Sequence, residues 1–408
     1  MKILIVHNSY QQQIGGEDVV FENDRDLLAA RGHHVSTYTR HNDEINRYGL
    51  IAKTTLPLRT LWAWDSAAKL RQIIRRERPH IAHFHNTFPL ISPAAYYACR
   101  EAEIPVVQSL HNPRLLCPAA TFYRDGKACV ECLGKTPAWP AIRHACYHRS
   151  RAQTAVVSGM LALHSFLNTW NRVVDAYIVF TDFYRRAFIE AGFPSEKIHI
   201  KPHFVPSDPG IKDRPKDYAL FIGRLAPEKG VRTLLEAWTR LKPLSIPLKI
   251  RGDGPLLPQI PQFDSGYNIQ VIPRLNREEL IALLHGARFL VWPSDGFYET
   301  FGLVAIEALA CGVPVIASRS GAMAEVIHHQ RTGLHFAPGD SEDLAAKVQW
   351  AWTHPAEIQA MGVAGRMEYE MKYTPKRNYE VLMEIYRKAA HFKTSNVVAP
   401  SERLGFYA

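Results

Sequence analysis

Short apolar runs alternate with helical patterns along almost the whole chain, and this alternation most narrows what the chain can fold into. In the first half the runs are Lys2–His7, His34–Tyr38, Ile81–His85, Val106–Leu110 and Ala176–Phe180, separated by helix-like stretches near 17–31, 66–77, 92–102, 151–170 and 182–191. Strand-like runs alternating with helices point to parallel sheets covered by helices. A stretch from Lys201 to Pro215, with Pro202, Pro206, Pro209 and Gly210, breaks the pattern and reads as a linker. The alternation restarts with Tyr218–Ile222, Leu248–Arg251, Ile269–Ile272, Phe289–Trp292 and Val313–Ala317, with helices at about 229–241, 276–285 and 302–310. Consecutive helices near 341–353, 355–370 and 376–391 follow. A length of 408 residues calls for more than one core. The expectation is an α/β protein of two doubly wound Rossmann-like domains, 1–205 and 206–389, with a C-terminal helix at 390–408 packing back on the first. A ligand then belongs in the cleft between them, facing the carboxyl ends of the strands.

Hydrophobic residues at 47% and charged residues at 22% argue against wholesale disorder, collagen and coiled coil. The net charge of +10 suits a polyanionic partner. Most of it lies in residues 1–200, with 24 basic against 17 acidic side chains. Within that half, Lys53, Arg59, Lys69, Arg71, Arg75, Arg76 and Arg78 face only Asp65 and Glu77. With Leu56, Leu58, Leu61, Trp62 and Trp64, this segment reads either as an amphipathic helix with a solvated face or as a contact for anionic lipid. Nucleic acid is the poorer use of the charge, since no recognition motif accompanies it.

Ile3-Leu4-Ile5-Val6 is too short for a signal peptide and reads as a buried first strand. The best membrane candidate, Thr154 to Trp170, is interrupted by Ser158, His164, Ser165 and Asn168 and reads as a core or interfacial helix. The expected location is cytoplasmic, extending to a peripheral position on the inner face of the cytoplasmic membrane. There cysteines remain thiols or bind metal. Cys117, Cys129, Cys132 and Cys146, spaced C-x11-C-x2-C-x13-C, suit a structural Zn²⁺. The unequal arms leave inert buried thiols as the alternative. His83 and His85 fall on one strand face, too few ligands for a metal by themselves.

Three segments carry chemistry. Gly15-Gly16-Glu17 leads from the first strand into a helix whose N-terminus suits a phosphate. Gly223-Arg224 ends a strand, and Lys229 sits five residues on, so both cations can converge on a diphosphate. Solvated surface cations are the plain alternative for that segment. The third runs from Phe297-Tyr298-Glu299-Thr300-Phe301-Gly302-Leu303 through Glu307 to Gly312-Val313-Pro314. Glu299 falls at the mouth of a helix, where the N–H groups of Thr300, Phe301, Gly302 and Leu303 would meet an anion, and Glu307 about two turns into it on the same face. A Glu307 flanked by Ala305, Ile306, Ala308 and Leu309 would be costly to bury without a partner.

The E-x7-E block of Glu299 and Glu307, with Gly223-Arg224…Lys229-Gly230, Gly252-Asp253-Gly254, Gly15-Gly16-Glu17 and Leu110-His111-Asn112, resembles the retaining family 4 glycosyltransferases of GT-B fold. That resemblance implies Glu299 at the donor sugar, Glu307 on the ribose hydroxyls, and Arg224 and Lys229 on the diphosphate. It implies N–H groups of Phe301, Gly302 and Leu303 on the distal phosphate, with Gly16 reaching across and His111 near the sugar. The base would rest near Arg251–Gly254 and Ile272–Arg274. The partners so implied are a nucleoside-diphosphate sugar and a saccharide or lipid-linked saccharide acceptor. No Asp-x-Asp ends a strand; in Asp24-Arg25-Asp26, positions i and i+2 of a helix diverge, so no catalytic metal or other cofactor is expected. The alternatives are an inactive glycosyltransferase-like scaffold and, less well supported because the glycine fingerprint is missing, a nicotinamide-dependent oxidoreductase.

Overall fold

The computed structural model describes residues 1–10, 15–49, 53–212, 217–260, 268–296 and 299–397. Pro215, Phe297, Tyr298 and residues 398–408 therefore lie outside the described residues. The first-half strands are β1 (Lys2–Ser9), β2 (His34–His41), β3 (Ile81–Asn86), β4 (Val106–Ser109), the two-residue pair β5 (Tyr123–Arg124) and β6 (Lys127–Ala128), β7 (Ala176–Val179) and β8 (Ile198–Ile200). All but β5 and β6 form one parallel sheet in the order β2-β1-β3-β4-β7-β8. Its centre is apolar on both faces: Ile3 to Val6 are fully buried, because helices cover each side.

The second sheet contains β9 (Tyr218–Ile222), β10 (Leu248–Arg251), β11 (Ile269–Ile272), β12 (Ala287–Trp292), β13 (Val315–Ser318) and β14 (Gly333–Phe336), ordered β11-β10-β9-β12-β13-β14 and parallel throughout. In each sheet one strand, β1 or β9, stands where the winding reverses direction. The loops leaving that strand and its neighbour open the crevice in which ligands of such sheets lie.

The last described helix, Pro375–Val397, packs against β4 and β7 of the first sheet. Tyr386 hydroxyl lies 2.9 Å from His83 Nδ1, and Asn378 is hydrogen-bonded to the Lys201 ammonium (3.0 Å) and the Pro202 carbonyl (2.6 Å). The expected boundary at 389 is thus displaced: the chain crosses back just after Tyr373, whose carbonyl accepts from the Val205 amide at 3.0 Å. An amphipathic pattern specifies a helix but not which sheet it covers. The Pro-rich linker is clamped by Arg366 on Asp208 at 2.5 and 2.6 Å.

Candidate active site

On the second-domain side the site begins where β9 ends. A single helical turn, Pro227–Lys229, follows, and Gly230 stands at φ 69°. A side chain there would strike the Pro293 carbonyl, so glycine lets the β9 and β12 loops close on each other. The closure joins Lys229 to Glu299 as an ion pair across those loops, and the Ser294 hydroxyl donates to Glu299 at 3.1 Å. Burial alone would push the Glu299 carboxyl up; the Lys229 charge, with hydrogen bonds from Lys229 and Ser294, outweighs it and holds the group below the usual carboxylate range.

Arg224 leaves the same turn in a different direction. It pairs with Glu228, is 49% exposed, and does not line the cleft. The two cations share a turn, but only Lys229 enters the cavity.

Gly302, at φ 94°, precedes the helix Leu303–Ala310, and a side chain there would enter the Trp292 ring. Glu307 sits one turn into this helix rather than two, because Glu299, eight residues before it, lies outside the helix. Its partner is Arg277, at 3.0 Å. Burial raises the Glu307 carboxyl and Arg277 offsets this only in part. Nothing local marks Arg277 in the sequence: thirty residues and a strand separate it from Glu307.

Gly252 and Gly254 do not line the cleft. A side chain at either would strike the backbone of Gly223 or Leu225, so these glycines let the exits of β9 and β10 pack together. Arg251 beside them does reach the cleft, with its Nε buried and lacking a hydrogen-bond partner among the described residues. Arg274 is exposed and outside it.

The first domain supplies the opposite wall. Gly15 caps the helix Gly16–Ala30, its amide bonded to Asp18 at 2.8 Å, and stays off the cleft. Gly16 lines it, with the position of a β-carbon 3.9 Å from Leu303. His111 leaves β4 buried, 3.0 Å from His85 and stacked near-parallel to His203 at 6.0 Å. Burial, then the neighbouring His203 and His7, keep its imidazole well below the ordinary histidine range. Thr300 ties the walls together: its hydroxyl donates to the His111 carbonyl at 3.1 Å, and its own carbonyl accepts from Thr181 at 3.5 Å. Phe301 packs edge-on against His203 at 5.0 Å.

Together these elements enclose about 420 Å³, a volume within the range of small-molecule sites. Of the expected residues, Gly16, His111, Lys229, Glu299, Thr300, Phe301, Gly302, Leu303 and Glu307 line it; Gly15, Arg224, Gly252, Gly254 and Arg274 do not. His203, Ser294 and Trp292 join without having been singled out, His203 because it lies inside the proline-rich linker. Beneath the first-domain wall, Asp24, His83 and His85 bring ligand atoms within 4.8 Å of one another. The Lys201 ammonium, 3.1 Å from Asp24, already supplies positive charge there, and both His83 nitrogens have partners, Tyr386 and Ser109. Asp26 turns outward to Arg25, as the helical divergence requires. The four cysteines surround a separate cavity.

A family profile described as Glycosyltransferase Family 4 matches residues 14–208, and one described as Glycosyl transferases group 1 matches 207–367. The chain belongs to the family 4 (group 1) glycosyltransferases, with the GT-B fold. It is 37% identical to a glycogen synthase of Mycobacterium tuberculosis over 153 residues, 36% of each chain. It is 26% identical to the sulfoquinovosyl transferase SQD2 of Arabidopsis thaliana over 343 residues, 80% of this chain and 61% of that one. The matches span about a third to a half of the first curated relatives. Among solved structures, Anabaena HepE in complex with UDP superposes with a TM-score of 0.64 at 18% identity, covering 97% of this chain and 100% of that one.

Proposed function

We propose that the chain is a retaining transferase that moves a hexose-type sugar from a nucleoside diphosphate to a hydroxyl of a saccharide or lipid-linked saccharide, in glycan or cell-envelope polysaccharide synthesis. The observation that carries this reading is the convergence of Lys229, Glu299, Glu307 and the N-terminal end of Leu303–Ala310 on one cavity closed by Gly16 and His111. Family membership and the UDP and UDP-glucose complexes of HepE support it.

The diphosphate would exchange the Lys229–Glu299 pair for phosphate contacts to Lys229 and the helix end, with Arg224 swinging in from Glu228. Glu307, steadied by Arg277, would hold the ribose diol, and Glu299, released toward the sugar, its hydroxyls. The anomeric carbon loses its bond to the diphosphate oxygen and gains one to the acceptor oxygen on the same face. The acceptor proton passes to the departing diphosphate. A neutral His111 beside the sugar adds a polar contact without repelling developing positive charge at that carbon. Lys229, Arg224 and the helix dipole supply the charge that stabilises the leaving group, so added Mg²⁺ or Mn²⁺ should change the rate less than about twofold.

A screen of nucleotide sugars by diphosphate release tests the proposal. At least one donor should turn over; failure of every donor, with folded protein, would favour a scaffold instead.

Among the described residues no helix is long and apolar enough to cross a membrane. Anionic lipid contact is proposed for the exposed Leu58, Trp64 and Phe166 together with the exposed Lys69, Arg75 and Arg78. Trp62 is not part of it, being stacked on His164 at 5.6 Å, and Arg59, Arg71 and Arg76 hold Asp65, Glu101 and Glu77. Flotation with anionic vesicles should lift the protein, and neutralising Lys69, Arg75 and Arg78 should abolish this. No flotation would remove the idea.

A further inference from the structure

Between β4 and the helix Arg151–Phe166 the chain runs for some forty residues with very little regular structure: two one-turn or shorter helices and the β5–β6 pair. Ala120, Phe122, Asp125, Ala145, His148 and Arg149 all have positive φ. Loops this long and irregular are uncommon inside a compact domain unless something local holds them. Leu116 and Phe122 tie the start of this segment to the first-domain core, but its later turns bury small residues, Ala138 and Ala141 among them.

Four cysteines come from four different turns of this segment. Cys117 closes the turn after Pro113–Leu115, its amide 2.7 Å from the Pro113 carbonyl. The Cys129 amide bonds the Phe122 carbonyl at 2.8 Å as the β5–β6 hairpin ends. Cys132 lies in the next turn, accepting from the Lys135 amide at 3.2 Å. Cys146 follows the short helix Trp139–Arg143, its amide 3.0 Å from the Ala141 carbonyl. All four line one cavity of about 20 Å³, and all are free thiols. Room for one small ion amid four sulfurs is the donor set of a structural zinc site.

We propose that Cys117, Cys129, Cys132 and Cys146 bind one Zn²⁺ as thiolates, and that the metal fastens the β5–β6 hairpin as an outer wall of the cleft. Zinc–sulfur bonds of about 2.3 Å place sulfurs roughly 3.8 Å apart. No three of these sulfurs lie within 4.8 Å of one another, so binding draws the turns inward and releases the thiol protons. Arg124, bonded to Glu131 at 3.0 Å, lies beside the cluster and offsets its negative charge. The wall reaches the second domain: a β-carbon on Gly296 would stand 3.4 Å from both Tyr123 and Ala128. Gly296 lies two residues after Ser294, the Glu299 partner, so the hairpin packs beside the loop that carries that pair, and on the proposed function the zinc would steady that side of the cleft for the acceptor.

The full chain, purified without chelator from zinc-supplied cells, should contain about one zinc per molecule by elemental analysis. A mercurial that titrates thiols should release it stoichiometrically, and cobalt substitution should give a thiolate charge-transfer band. Cys129→Ser and Cys132→Ser should each cut zinc content at least tenfold, whereas Cys311→Ser, remote from the cluster, should leave it unchanged. In zinc-stripped protein, proteolysis should begin between residues 112 and 150, and acceptor KM should rise while nucleotide binding stays within about twofold. Should the serine variants fail to fold, metal content and mercurial release of the unaltered chain still decide. Absence of zinc with no uptake by the reduced protein, or recovery of the cysteines as disulfides, would overturn the proposal.

Discussion

The two walls of the cleft solve opposite electrostatic problems. The second domain presents ion pairs: Lys229 with Glu299, Arg277 with Glu307, and Arg224 with Glu228 at the rim. The first domain presents the imidazoles of His111 and His203, buried and held in the neutral form, with His85 beneath them. Charges already paired in a partly buried site can be handed to an anionic ligand without fresh desolvation. Neutral rings can accept or donate hydrogen bonds to hydroxyls without repelling positive charge that develops at a reacting carbon. On the proposed reading, the diphosphate falls to the second-domain wall, and the sugar lies between Glu299 on that wall and His111 on the other.

Acid should produce the largest effect and should act through the first wall. His83, pushed by burial to about 3, and His85, His111 and His203, well below the ordinary value, all bind protons more readily when unfolded. Their contribution is complete above the unfolded value of about 6.5 and is lost as pH falls toward the folded values, roughly several kcal/mol in all. Glu299, whose carboxyl is lowered, adds its loss only below the usual carboxylate range, whereas Glu17, Asp24, Glu307 and Asp295, raised by burial, the last to about 6, oppose the histidine slope between about pH 4.5 and 6.5. His203→Gln should flatten that slope; an unchanged slope breaks the comparison.

Next come the charges. Lys229→Ala and Glu307→Ala should each lower kcat/KM about 10²–10³-fold with the fold retained. His111→Leu should lower turnover about tenfold or more while nucleotide affinity stays within about twofold. Equal loss of nucleotide binding in His111→Leu and Lys229→Ala would erase the distinction between the walls. The smallest effect belongs to the link between them: Thr300→Val, which removes the hydrogen bond to His111, should cost about 1 kcal/mol, read as a shift in denaturant midpoint.

Most strands were legible because a parallel strand covered on both faces must be a continuous apolar run. β8 and β14 escaped notice for the converse reason: Ile198–Ile200 and Gly333–Phe336 are short edge strands interrupted by His199 and His335. In the site, Lys229, Glu299 and Glu307 stand in local spacings that a resemblance can carry. Arg277 and His203 do not, because tertiary contact alone brings them to Glu307 and His111. Gly252 and Gly254 show the reverse: conspicuous in sequence, they serve the packing of two strand exits.

Calorimetric titration of UDP and other nucleoside diphosphates into the unaltered chain, Lys229→Ala and Glu307→Ala, without added divalent metal, tests the cleft most directly. The account requires one nucleotide to bind the unaltered chain and each variant to bind it at least about tenfold more weakly. Failure of every nucleotide to bind, or equal affinity in all three proteins, would contradict it.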